Sequence, residues 1–434
     1  MRRIVALGSV LLGLAMAGWH LTPTPVAVFA ADGVGSPKAA APALADEQLA
    51  FSALGHTDEG RSPRGSLWLW SAGSGRLRQL ARGYGVSGFC FSPDGKRIAF
   101  LGYRPPQKWP ELDLHVLDIT TGKVEQVTKG FWGACNSTIA WRPGTEQVAA
   151  SCARLHRDPG PDDPGDGGLW LIDVKTGQMT RIIASSDTAQ PTSTDPRFNW
   201  DGTMLASMRI GRYAAVLEVA RPDRWFRLDQ PSYMNPDWLM DWVWVGKDRK
   251  LLLGTTSAER HLFDDDRFSV AEGPGGVWEW DLAHENAVIA PRLSCDDLLD
   301  LGVTRARPVC AQGKTVYGLA VSEGEGQVAY ASDSGVWVYS LKNESASRVA
   351  SVTEMPSLGG LREYDEVWGL PSLVRVLWSA SGRYLSVQVP NCPGVGDTLR
   401  VFDVTEKRVL APRLSARNPR VFAAWRPMPD AMKR

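Results

Sequence analysis

The chain has 434 residues, 44% of them hydrophobic and 22% charged, a balance typical of a globular protein with a real core. Its formal net charge is zero and its Lys and Arg are scattered, so nothing points to nucleic acid or an anionic membrane surface as a partner. The 43 Gly and 29 Pro recur between short apolar runs, which favours many short strands.

In chain order, the first element is a targeting segment. Arg2 and Arg3 precede an apolar stretch over 4–19, and Val28-Phe29-Ala30 ends in the small residue that signal peptidase prefers. Residues 1–30 are therefore expected to be a signal peptide, with an uncleaved anchor as the alternative. The apolar stretch is short for a membrane span, so no transmembrane segment is expected after cleavage. Residues 31–46, rich in Ala and Pro, read as a flexible leader. The expected location is periplasmic or secreted. All six Cys lie beyond the signal, which permits disulfides. Cys135 and Cys152 flank one predicted hairpin, and Cys295 and Cys310 share one loop, so these are the candidate pairs.

Two strand–turn–strand patterns then alternate. The first has a tight turn between two apolar strands: 89–100, 139–149, 198–207, 242–254, 319–330 and 376–387. The second reads apolar-x-apolar, often Asp, then a turn and another strand. It occurs at 67–77, 114–124, 169–179, 277–282, 336–341 and 399–404, with a weaker copy at 216–219. Each pair of hairpins supplies four antiparallel strands, the content of one propeller blade. The unmatched halves are 48–52 and 421–427, and joining them completes a seventh blade and removes the open edges. The expected fold is all-β: a seven-bladed β-propeller over 47–434 closed by its terminal strands, with six or eight blades as alternatives.

The Ser92-Pro93-Asp94-Gly95-Lys96 turn and the Asp118-Ile119-Thr120-Thr121-Gly122-Lys123 turn resemble the repeats of TolB-like propellers, which also occur in propeller domains of prolyl-oligopeptidase relatives. The resemblance covers roughly 47–430 and implies a propeller and export. The α/β domain of TolB proper and a hydrolase domain are not recognisable here, and no Gly-x-Ser-x-Gly elbow with downstream Asp and His is found. Tol-Pal function and peptidase activity are therefore not carried over.

In such a fold the second-to-third and inter-blade connections share one face. Here they are the long ones: 101–112, 153–167, 183–196, 255–275, 291–316, 351–373 and 388–397. Long loops on a rigid scaffold are where function usually sits. Tyr103, Trp109, Trp132, His156, Tyr233, Trp238, His261 and Trp368 lie in or beside these loops and are the candidate binding residues, since Trp, Tyr and Arg often anchor interfaces. Asp162, Asp163 and Asp166 form a weak calcium candidate, although their spacing departs from an EF-hand, and Asp264, Asp265 and Asp266 beside His261 form a similar cluster. Trp on the strands, Trp200 among them, is expected to pack within or between blades. No cofactor and no catalytic set is expected. The expected function is a monomeric, non-enzymatic module offering its loop face to a protein, peptide or envelope glycan. The alternative is an enzyme at the channel mouth, such as a sugar lyase, lactonase or hydrolase.

Overall fold

A computed structural model describes residues 46–55, 64–104, 112–131, 138–152, 168–184, 194–209, 213–227, 239–247, 249–255, 260–264, 267–271, 275–282, 288–289, 307–311, 315–322, 326–355, 358, 374–392, 396–410 and 421–427. Their strands form seven antiparallel sheets of four or five strands and one separate hairpin. The first sheet holds β1 (Gln48–Gly55), β2 (Arg64–Ser71) and β3 (Leu77–Ala81). The second holds β4 (Gly85–Phe91), β5 (Arg97–Tyr103), β6 (Asp113–Asp118) and β7 (Val124–Gln126). The third holds β8 (Ala140–Trp141), β9 (Gln147–Cys152), β10 (Gly168–Asp173) and β11 (Met179–Ala184). The fourth holds β12 (Thr194–Phe198), β13 (Met204–Arg209), β14 (Tyr213–Glu218) and β15 (Arg221–Arg227).

The fifth blade is less regular. Between β16 (Leu239–Trp244), β17 (Lys250–Thr255) and the third strand runs a two-stranded hairpin, β18 (Arg260–Asp264) and β19 (Arg267–Ala271). The third strand is β20 (Gly276–Asp281). The chain then adds β21 (Val288–Ile289) to the outer edge of the fourth blade and returns as β22 (Arg307–Cys310). The sixth blade holds β23 (Val316–Ser322), β24 (Gln327–Ser332), β25 (Gly335–Ser340) and β26 (Ser345–Ser351). The seventh holds β27 (Arg375–Trp378), β28 (Tyr384–Cys392), β29 (Gly396–Asp403) and β30 (Arg408–Leu410).

The last strand, β31 (Val421–Trp425), pairs with β1 and so becomes the innermost strand of the first blade. Leu49 stands opposite Trp425 and Phe51 opposite Ala423. The protein is a seven-bladed β-propeller closed by its first and last strands, as the two unmatched half-hairpins imply. One expectation changes. The fourth strand of blade five lies inside the segment read as the loop 291–316, so Cys310 sits on a strand. The long connection from 282 to 306 joins the third strand to the fourth, and therefore leaves from the face of the tight turns.

Why the strands read as unbroken apolar runs follows from the ring. A blade is covered on both faces, and successive side chains point to opposite faces. On β5, Ile98 and Phe100 pack with Leu67 and Leu69 of blade one, while Ala99 and Leu101 pack with Val148 and Ala150 of blade three. The same division recurs round the ring. Met204 and Val216 meet Trp242 and Trp280, and Leu252 and Val277 meet Val316 and Val328. Tyr384 and Val401 meet Phe51 and Trp425 at the closing seam.

The repeated turns have a defined chemistry. In the first type, Ser92 Oγ donates to Asp94 at 2.6 Å and accepts the Arg97 N–H at 2.9 Å, and Gly95 takes φ +67°. Gly is required there, because a Cβ would also lie 2.9 Å from the Pro427 carbonyl of the closing segment. In the second type, Asp173 Oδ1 accepts the N–H groups of Lys175 and Thr176 at 3.0 and 2.8 Å and the Thr176 hydroxyl at 3.0 Å. This is an Asx turn, and it explains why Asp and Thr-Gly recur at fixed spacing.

Candidate functional site

The innermost strands of the blades begin at the face from which the second-to-third connections leave. Four charged side chains meet near those beginnings. Asp195 and Arg197 lie on β12, Asp241 on β16 and Arg375 at the first position of β27. Arg197 Nη2 bridges Asp195 at 2.5 Å and Asp241 at 2.7 Å. Its Nη1 donates to the Trp242 carbonyl, and its guanidinium lies 4.9 Å over the Trp242 ring. Arg375 Nη2 reaches Asp195 Oδ1 at 3.2 Å, so blade seven touches blade four across the axis. Thr138, just before β8 of blade three, donates its hydroxyl to Asp195. Asp241 Oδ2 accepts the Leu319 N–H of blade six at 2.8 Å. The cluster thus ties blades three to seven at one end of the channel.

Burial and charge push the two carboxylates in opposite directions. Burial works to raise Asp195, but the Arg197 and Arg375 guanidiniums and the Thr138 hydroxyl prevail and hold it well below the usual carboxylate range. Burial raises Asp241, and Asp195 adds to that, against the pull of Arg197. Burial also works to lower Arg197, yet its two carboxylate partners keep it above its ordinary value. Asp195 has φ +62° and precedes Pro196, a pairing that costs roughly 1–3 kcal/mol and is found where the surroundings over-determine it. The β12–β13 register shifts at the same place, between Thr194 and Arg197.

No protein-family model and no curated protein matches the chain. Among solved structures, one from a study of two prolyl endopeptidases is similar with a TM-score of 0.50 and 14% identity, over 88% of this chain and 50% of that one. An oligogalacturonate lyase in complex with manganese gives a TM-score of 0.50 and 11% identity, over 85% of this chain and 84% of that one. At such identities the likeness is one of fold. The chain spans half the length of the prolyl endopeptidase chain that it matches.

Of the residues expected on the loop face, Tyr103 is the one whose side chain is described, and it lies inside. It is 2% exposed and packs with Leu112 and Phe131, over Gly85, where a Cβ would stand 2.3 Å from its ring. Burial takes Tyr103 off the surface, and it supports the face from beneath. His261 is placed on β18, opposite Val270. Trp109, Trp132, His156, Tyr233, Trp238 and Trp368 lie outside the described residues, as do Asp162, Asp163, Asp166, Cys135 and Cys295. Cys152 and Cys310 are buried at strand ends. Cys90 is a free thiol on β4. Among the described residues, no group of three His, Cys, Asp or Glu is placed to hold a metal ion. No described helix is long and apolar enough to cross a membrane.

The charged cluster itself was not foreseen. Its members lie up to 180 residues apart in sequence. The available signal was the Asp195-Pro196-Arg197 step directly before a repeat turn, and Arg375 and Asp241 in the same position of their own blades. Trp200 also departs from expectation. It sits in the turn after β12, is 47% exposed, and donates its indole N–H to the Lys247 carbonyl at 3.0 Å. It therefore joins blade four to the first turn of blade five, with Lys247 Nζ 5.3 Å from its ring, but at the exposed tight-turn face and not in the buried seam.

Proposed function

We propose that the protein is an exported binding module, related to TolB-like propellers, that offers its long-connection face to a protein, peptide or envelope glycan. The observation that carries this reading is the cluster at that face. Asp195, Arg197 and Asp241 are committed to one another and to the backbone of neighbouring blades. They make a rigid platform from which the longer connections spring, the arrangement on which binding loops are usually built. Residues 1–30 are the export signal in this reading, and the protein acts as a monomer in the periplasm or outside the cell. The test is capture from envelope extract. Trp109, Trp132 and Trp238 replaced together by Ala should abolish capture while the circular dichroism stays that of the parent. Unchanged capture would refute the choice of face.

A second reading has its own support. Asp195 and Asp241 are two carboxylates driven apart in acidity at the channel mouth, the arrangement by which enzymes separate an acid from a base. An enzyme of the lyase, lactonase or hydrolase kind would use them there. Turnover of a polysaccharide or lactone panel that disappears in Asp241→Asn would establish it over the binding reading.

A further inference from the structure

Arg375 and Arg197 share Asp195 but differ in what they have left to give. Arg197 spends its guanidinium on two carboxylates and a carbonyl. Among the described residues Arg375 commits a single hydrogen bond, to Asp195, while its side chain remains 12% exposed at the start of its strand. A guanidinium offers five N–H donors. Beside it, Gln388 stands directly opposite in the β27–β28 register, is 7% exposed, and has an Oε1 with no hydrogen-bond partner among the described residues. Trp242, under Arg197, likewise keeps a buried indole N–H without a partner. Buried polar groups are rarely left orphaned, and each one needs an explanation.

We infer that the channel mouth beside Arg375 and Gln388 is a binding site for a carboxylate that carries a hydroxyl or ammonium donor close by. The planar fork of Arg375 suits a carboxylate in two-point contact, and the Gln388 Oε1 accepts from the neighbouring donor. The second carboxylate of the cluster does not oppose this. Asp241 is held by Arg197 and the Leu319 N–H, so its charge is already matched within the cluster and is not turned on Arg375. The inference rests on the reading of this face as the binding face and names the chemistry at its centre.

Calorimetric titration of the full chain tests it with four probes: glucuronate, glycine, and the counterparts that lack the carboxylate, glucose and glycinamide. At least one carboxylate should bind, and its counterpart without the carboxylate should bind roughly tenfold more weakly or worse. The responding arm tells a sugar acid from an amino acid. Arg375→Gln should weaken the responding carboxylate by roughly tenfold or more. Gln388→Glu should do the same while leaving Arg375 in place, because the introduced carboxylate occupies the guanidinium; this second variant decides the matter if the first does not fold. No binding of either carboxylate at millimolar concentration, or equal binding by parent and variants, overturns the inference. Such a failure leaves the envelope-capture result untouched, since that experiment reads other residues.

Discussion

Replacing Arg197 by Met removes the guanidinium that two buried carboxylates share, and the consequence should depend on pH. Asp195 and Asp241 have side chains only 5% and 7% exposed, so neither is left in water when the cation goes. Breaking a buried ion pair by deleting one partner costs about 3–5 kcal/mol. At about 2.1 cal/mol/K of unfolding entropy per residue, a propeller of this size loses roughly 1 °C of melting temperature per kcal/mol, so a fall of about 4–6 °C is expected at neutral pH. The sign with pH follows from the shifts. In the parent, Asp195 is held below its unfolded value, so its contribution is present above about pH 4 and is lost as pH falls through the lower folded value. In the variant burial raises both carboxylates against weaker compensation, since among the described residues Arg375 and the Thr138 hydroxyl remain for Asp195 and the Leu319 N–H for Asp241. Asp241, which loses its ion-pair partner Arg197, then favours the folded state when protonated, and stability falls as pH rises above about 4. The gap between parent and variant should thus be widest near pH 7.5 and narrow toward pH 4.5. Thermal melts of both proteins across that range measure it. A gap independent of pH, or one under about 1 kcal/mol, would mean that the cluster is hydrated and not the buried clasp described here.

Two further outcomes follow from the ring. Trp425→Ala removes an indole that stacks on Tyr384 at 5.9 Å and donates to Leu377 O and Ser386 Oγ, both at 3.1 Å, so urea denaturation should show a loss of about 3–5 kcal/mol. A loss under about 1 kcal/mol would show that the closing seam carries little of the stability. Burial pushes the Cys90 thiol up to about 12, so iodoacetamide at pH 8 should leave it unmodified in the native protein and alkylate it in urea, as peptide mass mapping would report. Rapid native labelling would contradict the packing of β4.

The blades were legible because two local devices repeat. Ser92 with Asp94 and Gly95, and Asp173 with Thr176 and Gly177, each close a turn using residues within a few positions of one another, so their spacing survives in the sequence. Ring closure was legible as well, because 48–52 and 421–427 each lacked the other half of a hairpin. The channel cluster was not, since Asp195 and Arg375 are brought together by the ring and by nothing local. Blade five misled for a related reason: its fourth strand, Arg307–Cys310, is four residues long and far from its hairpin partner. Tyr103 shows a third limit. An aromatic at the end of a strand reads the same whether it faces outward or fills the space over a glycine, and here Gly85 provides that space.

The loan of β21 to blade four couples two neighbouring blades through one stretch of chain. Val288 and Ile289 pair with Trp225 and Arg224, although the chain has by then already laid down three strands of the following blade. The outer edge of blade four is thus completed by a segment that lies, in sequence, between the third and fourth strands of blade five. The two sheets are stitched, and a tug on the thread between them is met by both.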